Sequence, residues 1–302
     1  MIQDLTTEIL RLKEEKDAVI LAHYYQVPEV QEIADYVGDS YYLSKIAKDA
    51  KQNTIVFCGV RFMAESAKIL SPNKTVLLPA AEAGCPMANM ASASALLKMK
   101  EEYPNAKVVC YINSTTEVKA VSDVCCTSSN ALNIINNIEE EEIIFLPDKN
   151  LGGHIQKLVP HKKMILWDGC CVTHNKIYKK QIEALKEFYP GAKVLVHPEC
   201  TEEIRDMADF IGSTGEIIKF GTEDSSDKFI IVTEIGVLHE LEKRNPNKKF
   251  YAPDNMVCPN MKKTGLEDVY NALKEMKNVI TIDEDIRVKA YNALNNMHLL
   301  GR

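Results

Sequence analysis

The chain has 302 residues, 46% hydrophobic and 26% charged, which suits a globular protein of one large or two to three small domains. A formal net charge of −7 and a pI near 5.6 argue against a nucleic-acid footprint, which needs a basic face, without forbidding an anionic substrate held by local fields. The first residues mix charged and apolar types with no secretory h-region, and no apolar run approaches the ~20 residues of a membrane span. A cytoplasmic protein with no nucleic-acid and no membrane partner is expected.

Residues 1–16 carry Leu5, Ile9 and Leu12 on one helical side. The run 18–22 is continuously apolar, as in a strand buried on both faces, and ends in His23-Tyr24-Tyr25-Gln26. Helices are predicted over 28–35, with Pro28 in its first turn, and over 41–51, after the turn Gly38-Asp39-Ser40. Strands 54–58 and 75–78 flank a helix at 61–70, and a loop then exposes Cys85. The plan recurs with helix 92–102, strand 107–111, helix 115–121, the short run 124–127, helix 129–138 and strands 142–146 and 163–167. It recurs again with helix 175–188, strand 193–196, helix 202–208, the segment 209–211, helix 215–219, strand 229–233, helix 235–244 and strand 249–251. Helices at 266–276 and 283–297 close the chain. The only tryptophan, Trp167, is expected in the core.

The recurrence has a marker. Glu29-Val30…Asp35, Glu117-Val118…Asp123 and Glu203-Ile204…Asp209 each open with an acid followed by an aliphatic and close on Asp. Six residues before the opening Glu stand His23, Tyr111 and His197, and four before it Tyr25, Asn113 and Glu199. Eleven residues after it come Ser40, Ser128 and Thr214, and 54 to 56 after it Cys85, Cys171 and Cys258. A period near 87 residues is too long for a solenoid. The expected architecture is therefore three similar α/β domains with short parallel sheets around a pseudo-threefold axis, with the active site at their junction. The boundaries fall at 1–88, 89–173 and 174–262, with a helical tail 263–302 packed on the core.

Such an axis would bring equivalent positions together. Nine cysteines, an odd number with adjacent pairs at 125/126 and 170/171, make a poor disulfide framework. One loop cysteine alone reads as a small buried hydrophobe, but three in register suit a [4Fe–4S] cluster with one iron left open. Cys170 beside Cys171 leaves the second ligand ambiguous. Ser40, Ser128 and Thr214 lie near helix starts, where they could simply cap or could meet anionic groups of a substrate. His23, Tyr25, Tyr111, Asn113, His197 and Glu199 would line the cavity, the histidines as proton carriers near neutral pH and the carboxylate tuned by burial. Neither dinucleotide nor NTP glycine motif is present.

These residues resemble the quinolinate synthase family of de novo NAD biosynthesis. The resemblance runs through Leu21–Gln26, Gly38-Asp39-Ser40, Gly84–Ala88, Tyr111–Thr115, Pro147–Gly152, Trp167–His174, His197–Cys200, Gly212-Ser213-Thr214 and Cys258–Lys262, and so spans the chain. Tyr24, where the family often has Asn, departs from it, and no additional C-x-x-C lies near Cys258. The resemblance implies a transferase that condenses iminoaspartate with dihydroxyacetone phosphate to quinolinate, releasing phosphate and water. It implies one [4Fe–4S] cluster on Cys85, Cys171 and Cys258, and L-aspartate oxidase or aspartate dehydrogenase as the source of iminoaspartate. It gives Tyr25 and Glu199 the proton transfers, with His23 and His197 holding substrate. It also places Ser40, Tyr111, Ile112, Asn113, Ser128, Pro198 and Thr214 in the binding site. Other three-cysteine iron–sulfur enzymes (reductive dehydratases, radical enzymes) share the layout but need an electron donor or S-adenosylmethionine. A non-enzymatic iron–sulfur sensor would need the nucleic-acid element that the acidic composition argues against.

Overall fold

The computed structural model describes residues 2–301. Its first third runs α1 (Ile2–Glu15), β1 (Ala18–His23), α2 (Pro28–Ile33), β2 (Tyr36–Gly38), α3 (Ser40–Asp49), β3 (Thr54–Cys58), α4 (Arg61–Leu70) and β4 (Thr75–Leu77). The second runs α5 (Ala93–Glu102), β5 (Lys107–Tyr111), α6 (Thr116–Ala120), β6 (Val124–Cys126), α7 (Ala131–Asn136), β7 (Glu142–Leu146), α8 (Lys149–Leu158) and β8 (Lys163–Leu166). The third runs α9 (Lys179–Phe188), β9 (Lys193–Val196), α10 (Glu202–Arg205), β10 (Phe210–Ile211), α11 (Thr214–Glu223), β11 (Lys228–Val232), α12 (Val237–Arg244) and β12 (Lys249–Tyr251). Helices α13 (Leu266–Glu275) and α14 (Glu284–Leu300) follow. The sheets read β2-β1-β3-β4, β6-β5-β7-β8 and β10-β9-β11-β12, one topology three times, with every pairing parallel.

The middle residues of the central strands are apolar and buried because both faces of each sheet are covered. In β1, Val19 and Leu21 face a core shared with the second unit, while Ala18, Ile20 and Ala22 face a smaller one under α1 and α13. The shared core also takes in Ala290, Ala293, Leu294 and Met297 of α14, which packs on α4, α6 and β6. Helix α13 therefore docks on the first unit, whereas α14 lies across the first and second.

The marker stretch now has a physical reason at each position. Its opening Glu is exposed in the first turn of α2, α6 and α10, where the helix dipole favours an anion. The next residue, Val30, Val118 or Ile204, is fully buried. The closing Asp stitches two strands together. The Asp35 carboxylate accepts the backbone N–H of Ile20 at 2.8 Å, Asp123 that of Val108 at 2.8 Å, and Asp209 that of Val194 at 2.7 Å. The same residues donate their own N–H to Ile20, Val108 and Val194. Each Asp thus completes a ladder at the point where an edge strand is too short to do so.

The structure departs from the sequence reading in five places. The strand β2 was not foreseen, because three residues with Tyr36 exposed carry little apolar signal and the Asp35 stitch holds them in place. The helix α8 fills the gap between β7 and β8. Gly152 and Gly153 weaken its helical pattern, but Gly152 lets it approach the sheet, since a Cβ there would stand 2.6 Å from Leu166 and 2.8 Å from Phe145. The predicted helix 175–188 begins only at Lys179, behind a separate 3₁₀ turn at His174–Lys176. The predicted helix 129–138 begins at Ala131, because the Asn130 side chain folds back to the Thr127 N–H at 2.7 Å. Trp167 is only half-buried, packed at the core's edge with its indole N–H on the Met90 carbonyl.

Candidate active site

The carboxyl ends of the three sheets open onto one cavity of roughly 800 Å³, counting its mouth. His23, Tyr25, Ser40, Tyr111, Asn113, Ser128, His197, Glu199 and Thr214 all line it, as do Cys85, Cys171 and Cys258. Ile112 and Pro198 do not: both are buried in the bends that follow β5 and β9, away from the cavity. The other six cysteines stay outside: Cys58, Cys110, Cys125, Cys126 and Cys200 are buried, and Cys170 stands beside the rim.

The hydroxyls are not the helix caps. Asp39 and Ser213, one residue earlier, cap α3 and α11 by accepting from Tyr42 and Glu216, which leaves the Ser40 and Thr214 hydroxyls free of that task. Ser128 sits in the turn that replaces the first turn of α7. Among the described residues lining the cavity there is no lysine or arginine.

The two strand-end histidines are held alike. His23 Nδ1 accepts the Tyr25 N–H at 3.1 Å and His197 Nδ1 accepts the Glu199 N–H at 3.3 Å, so each ring keeps its proton on Nε2. Burial pushes both down to about 3, so they are neutral donors at physiological pH and do not carry protons there as the sequence suggested. Tyr25 and Tyr111 are raised well above the usual phenol range, first by burial and then by the charge of Glu199. Burial alone would also raise Glu199, but it is held at about 2, because its contact with His174 and the hydrogen bond from the Tyr111 hydroxyl outweigh burial.

His174, which sequence reasoning passed over, is central. Its Nδ1 lies 2.8 Å from Glu199 Oε2 and 3.2 Å from Cys171 Sγ, and its Nε2 lies 2.9 Å from Thr233 Oγ1. Thr233 Oγ1 is 2.7 Å from Tyr25 Oη, which is 2.7 Å from Thr214 Oγ1, while Tyr111 Oη donates to Glu199 Oε1 at 2.6 Å. One hydrogen-bonded chain thus joins Tyr111, Glu199, His174, Thr233, Tyr25 and Thr214 across all three units. The C-x-x-H spacing from Cys171 was the available signal for His174. The signal for Thr233 was its place one residue past β11, at the C-terminal edge where ligands bind.

Fold and cavity together define an α/β enzyme of three like units, with a thiol-lined active site at their junction. A family model described as "Quinolinate synthetase A protein" matches residues 7–299. The chain is 66% identical over 299 residues to a quinolinate synthase of Clostridium perfringens (strain ATCC 13124), covering 99% of each chain. It is 58% identical over 302 residues to one of Clostridioides difficile (strain 630), covering 100% of this chain and 99% of that one. It is 54% identical over 301 residues to one of Caldicellulosiruptor bescii, covering 99% of each. The chain belongs to the quinolinate synthase family, enzymes of NAD biosynthesis. Among the described residues no helix is long and apolar enough to cross a membrane.

Proposed function

We propose that this cavity condenses iminoaspartate with dihydroxyacetone phosphate to quinolinate, releasing phosphate and water, around a [4Fe–4S] cluster held by Cys85, Cys171 and Cys258. The observation that carries the reading is the convergence of three equivalent thiols and nine equivalent polar positions on one cavity, in a chain of this family. The donor set suits the group: three half-buried thiols face one space, and no other cysteine among the described residues reaches it. Burial lifts the Cys85 thiol to about 12 and Cys171 well above its ordinary range, so a metal's charge is what would favour thiolates there. When bound, a cluster with only three protein ligands supplies a Lewis-acidic iron that polarises a substrate oxygen.

The remaining work falls to the chain. The substrates bring two carboxylates and one phosphate to a site without lysine or arginine. The Ser40, Ser128 and Thr214 hydroxyls, the helix starts behind them and the His23 and His197 Nε2–H groups meet these anions by dipole. Asn113 Oδ1 is buried without a protein partner and fits a substrate N–H or O–H. Glu199, ionised, is the proton acceptor, and Tyr25, a neutral phenol, is the donor. A proton taken at Glu199 stays within the chain that leads through His174 and Thr233 to Tyr25. Iminoaspartate would come from L-aspartate oxidase or aspartate dehydrogenase. The repeat boundaries at 88/89, 173/174 and 262/263 leave each cysteine in its own unit and the site at their junction.

The test is anaerobic purification with iron and sulfide analysis, followed by an assay with iminoaspartate and dihydroxyacetone phosphate and no electron donor or S-adenosylmethionine. Quinolinate formed only by cluster-loaded protein is expected. Cluster-loaded protein that forms none overturns the reading.

A further inference from the structure

We propose that Asp148 and Glu234 are positioning residues that fix the backbones of Cys171 and Cys258, so that two of the three thiol loops are set before the cluster binds. The inference rests on the cluster ligands proposed above. The two acids occupy one repeat position, 31 residues after the opening Glu117 and Glu203 and two beyond the ends of β7 and β11. Both are fully buried, at 0% exposure.

Their two oxygens do different work. Asp148 Oδ1 accepts the Leu151 N–H at 2.8 Å at the start of α8, and Glu234 Oε2 accepts the Gly236 N–H at 2.7 Å before α12. Helix capping accounts for the Asp148 oxygen alone, where an uncharged Ser or Asn would cap as well, and the Glu234 oxygen closes the turn that leads into α12. The second oxygen reaches across to a cysteine loop. Asp148 Oδ2 accepts the Cys171 N–H at 2.9 Å, and Glu234 Oε1 accepts the Cys258 N–H at 3.2 Å. A planar carboxylate holding a helix start with one oxygen and a cysteine N–H with the other fixes where that cysteine's Cβ points.

The first unit lacks the device. Val60 stands at the equivalent position and offers no side-chain acceptor. Its loop is held instead through its carbonyls, by the Arg61 N–H on Ala83 at 2.8 Å, the Arg61 guanidinium on Ala81 at 2.8 Å and Lys263 Nζ on Glu82 at 2.9 Å, with no carboxylate among the described residues on the Cys85 N–H. The third unit adds to it. Lys262 Nζ lies 3.0 Å from Glu234 Oε1 and donates to the Tyr25 carbonyl at 2.7 Å, which ties the Cys258 anchor to the segment carrying Tyr25. Asp148 makes no ion pair among the described residues.

The experiment compares full-length Asp148→Asn and Glu234→Gln with wild type, all loaded with iron and sulfide under anaerobic conditions. Asp209→Asn is the control, since it also neutralises a carboxylate that accepts a backbone N–H but touches no cysteine loop. In the two test variants iron loss to a ferrous chelator should quicken roughly 10- to 100-fold, and the electron paramagnetic resonance of the reduced cluster should shift. In Asp209→Asn both should stay as in wild type. Wild-type rates and spectra in both test variants overturn the inference and leave the ligand assignment standing. A wild type that binds no cluster, or keeps one after Cys171→Ala and Cys258→Ala, overturns both. Should the variants fail to fold, hydrogen exchange in wild type stripped of its cluster decides. The Cys171 and Cys258 amides should exchange more slowly than that of Cys85, and equal rates refute the proposal.

Discussion

Glu199 differs from its repeat equivalents in being ionised at neutral pH, since Asn113 carries no charge and Tyr25 is a phenol that burial keeps protonated. Glu199→Gln keeps the size and one acceptor for Tyr111 or His174 but cannot take a proton. Turnover should fall by roughly 10²–10⁴ while iron content stays at the wild-type level. Near-wild-type turnover with full iron would remove the role. His23 and His197 predict a pH dependence of stability. In the folded chain they take up protons only near pH 3, and in the unfolded chain near 6.5. Between those values the unfolded chain binds more protons, so this part of stability is complete above pH 6.5 and is lost as pH falls. The loss is roughly 1.4 kcal/mol per pH unit for each ring. Denaturant midpoints measured from pH 7.5 to 5 should decline, and the decline should shrink when either ring is replaced by Gln. Equal slopes in variant and wild type would mean that the rings are not held neutral.

At the scale of elements, the aspartate stitch and the glycine in α8 are the positions where one side chain decides whether a strand or helix docks. Asp123→Ala removes the acceptor of the Val108 N–H beside the three-residue strand β6 and should cost about 1–3 kcal/mol in chemical denaturation. Asp123→Asn retains one oxygen and should cost less. The two glycines of α8 should behave oppositely. Gly152→Ala pushes a methyl into Phe145 and Leu166 and should destabilise by about 1–3 kcal/mol, whereas Gly153→Ala meets nothing within 4 Å and should gain about 0.5–1 kcal/mol from helix propensity. The same sign for both would mean that α8 does not pack as described.

At the scale of the whole molecule, the cavity exists only because three units pack, and its chemistry draws on all of them. The repeats contribute Tyr25, Tyr111 and Glu199 to one hydrogen-bonded chain, with no unit able to complete it alone. Replacing Cys85, Cys171 or Cys258 by Ala should therefore each abolish iron binding, although the three stand far apart in the chain. Cys110→Ala and Cys125→Ala, buried in β5 and β6 away from the cavity, should keep both iron and activity. Iron retained in Cys171→Ala and lost in Cys170→Ala would shift the second ligand by one residue.

The repeat was legible in the sequence because strand-end chemistry and sheet stitching recur at fixed offsets, and offsets survive without any knowledge of packing. That reading followed the order of nearly all elements and singled out three thiols and nine polar positions that line one cavity. It missed β2 and α8, where the local signal is weak and tertiary contacts supply the stability: a carboxylate stitch in one case, a glycine that lets a helix close on a sheet in the other. It also mistook the electrostatics. Types and spacings cannot reveal that His23 and His197 are sealed from water, or that His174 lies against Glu199. A charge state depends on burial and on neighbours distant in sequence, and only the folded chain sets these. The roles of Asp148 and Glu234 were hidden for the same reason, since each bond to a cysteine loop closes across more than twenty residues and appears only when the loop returns to the end of its sheet.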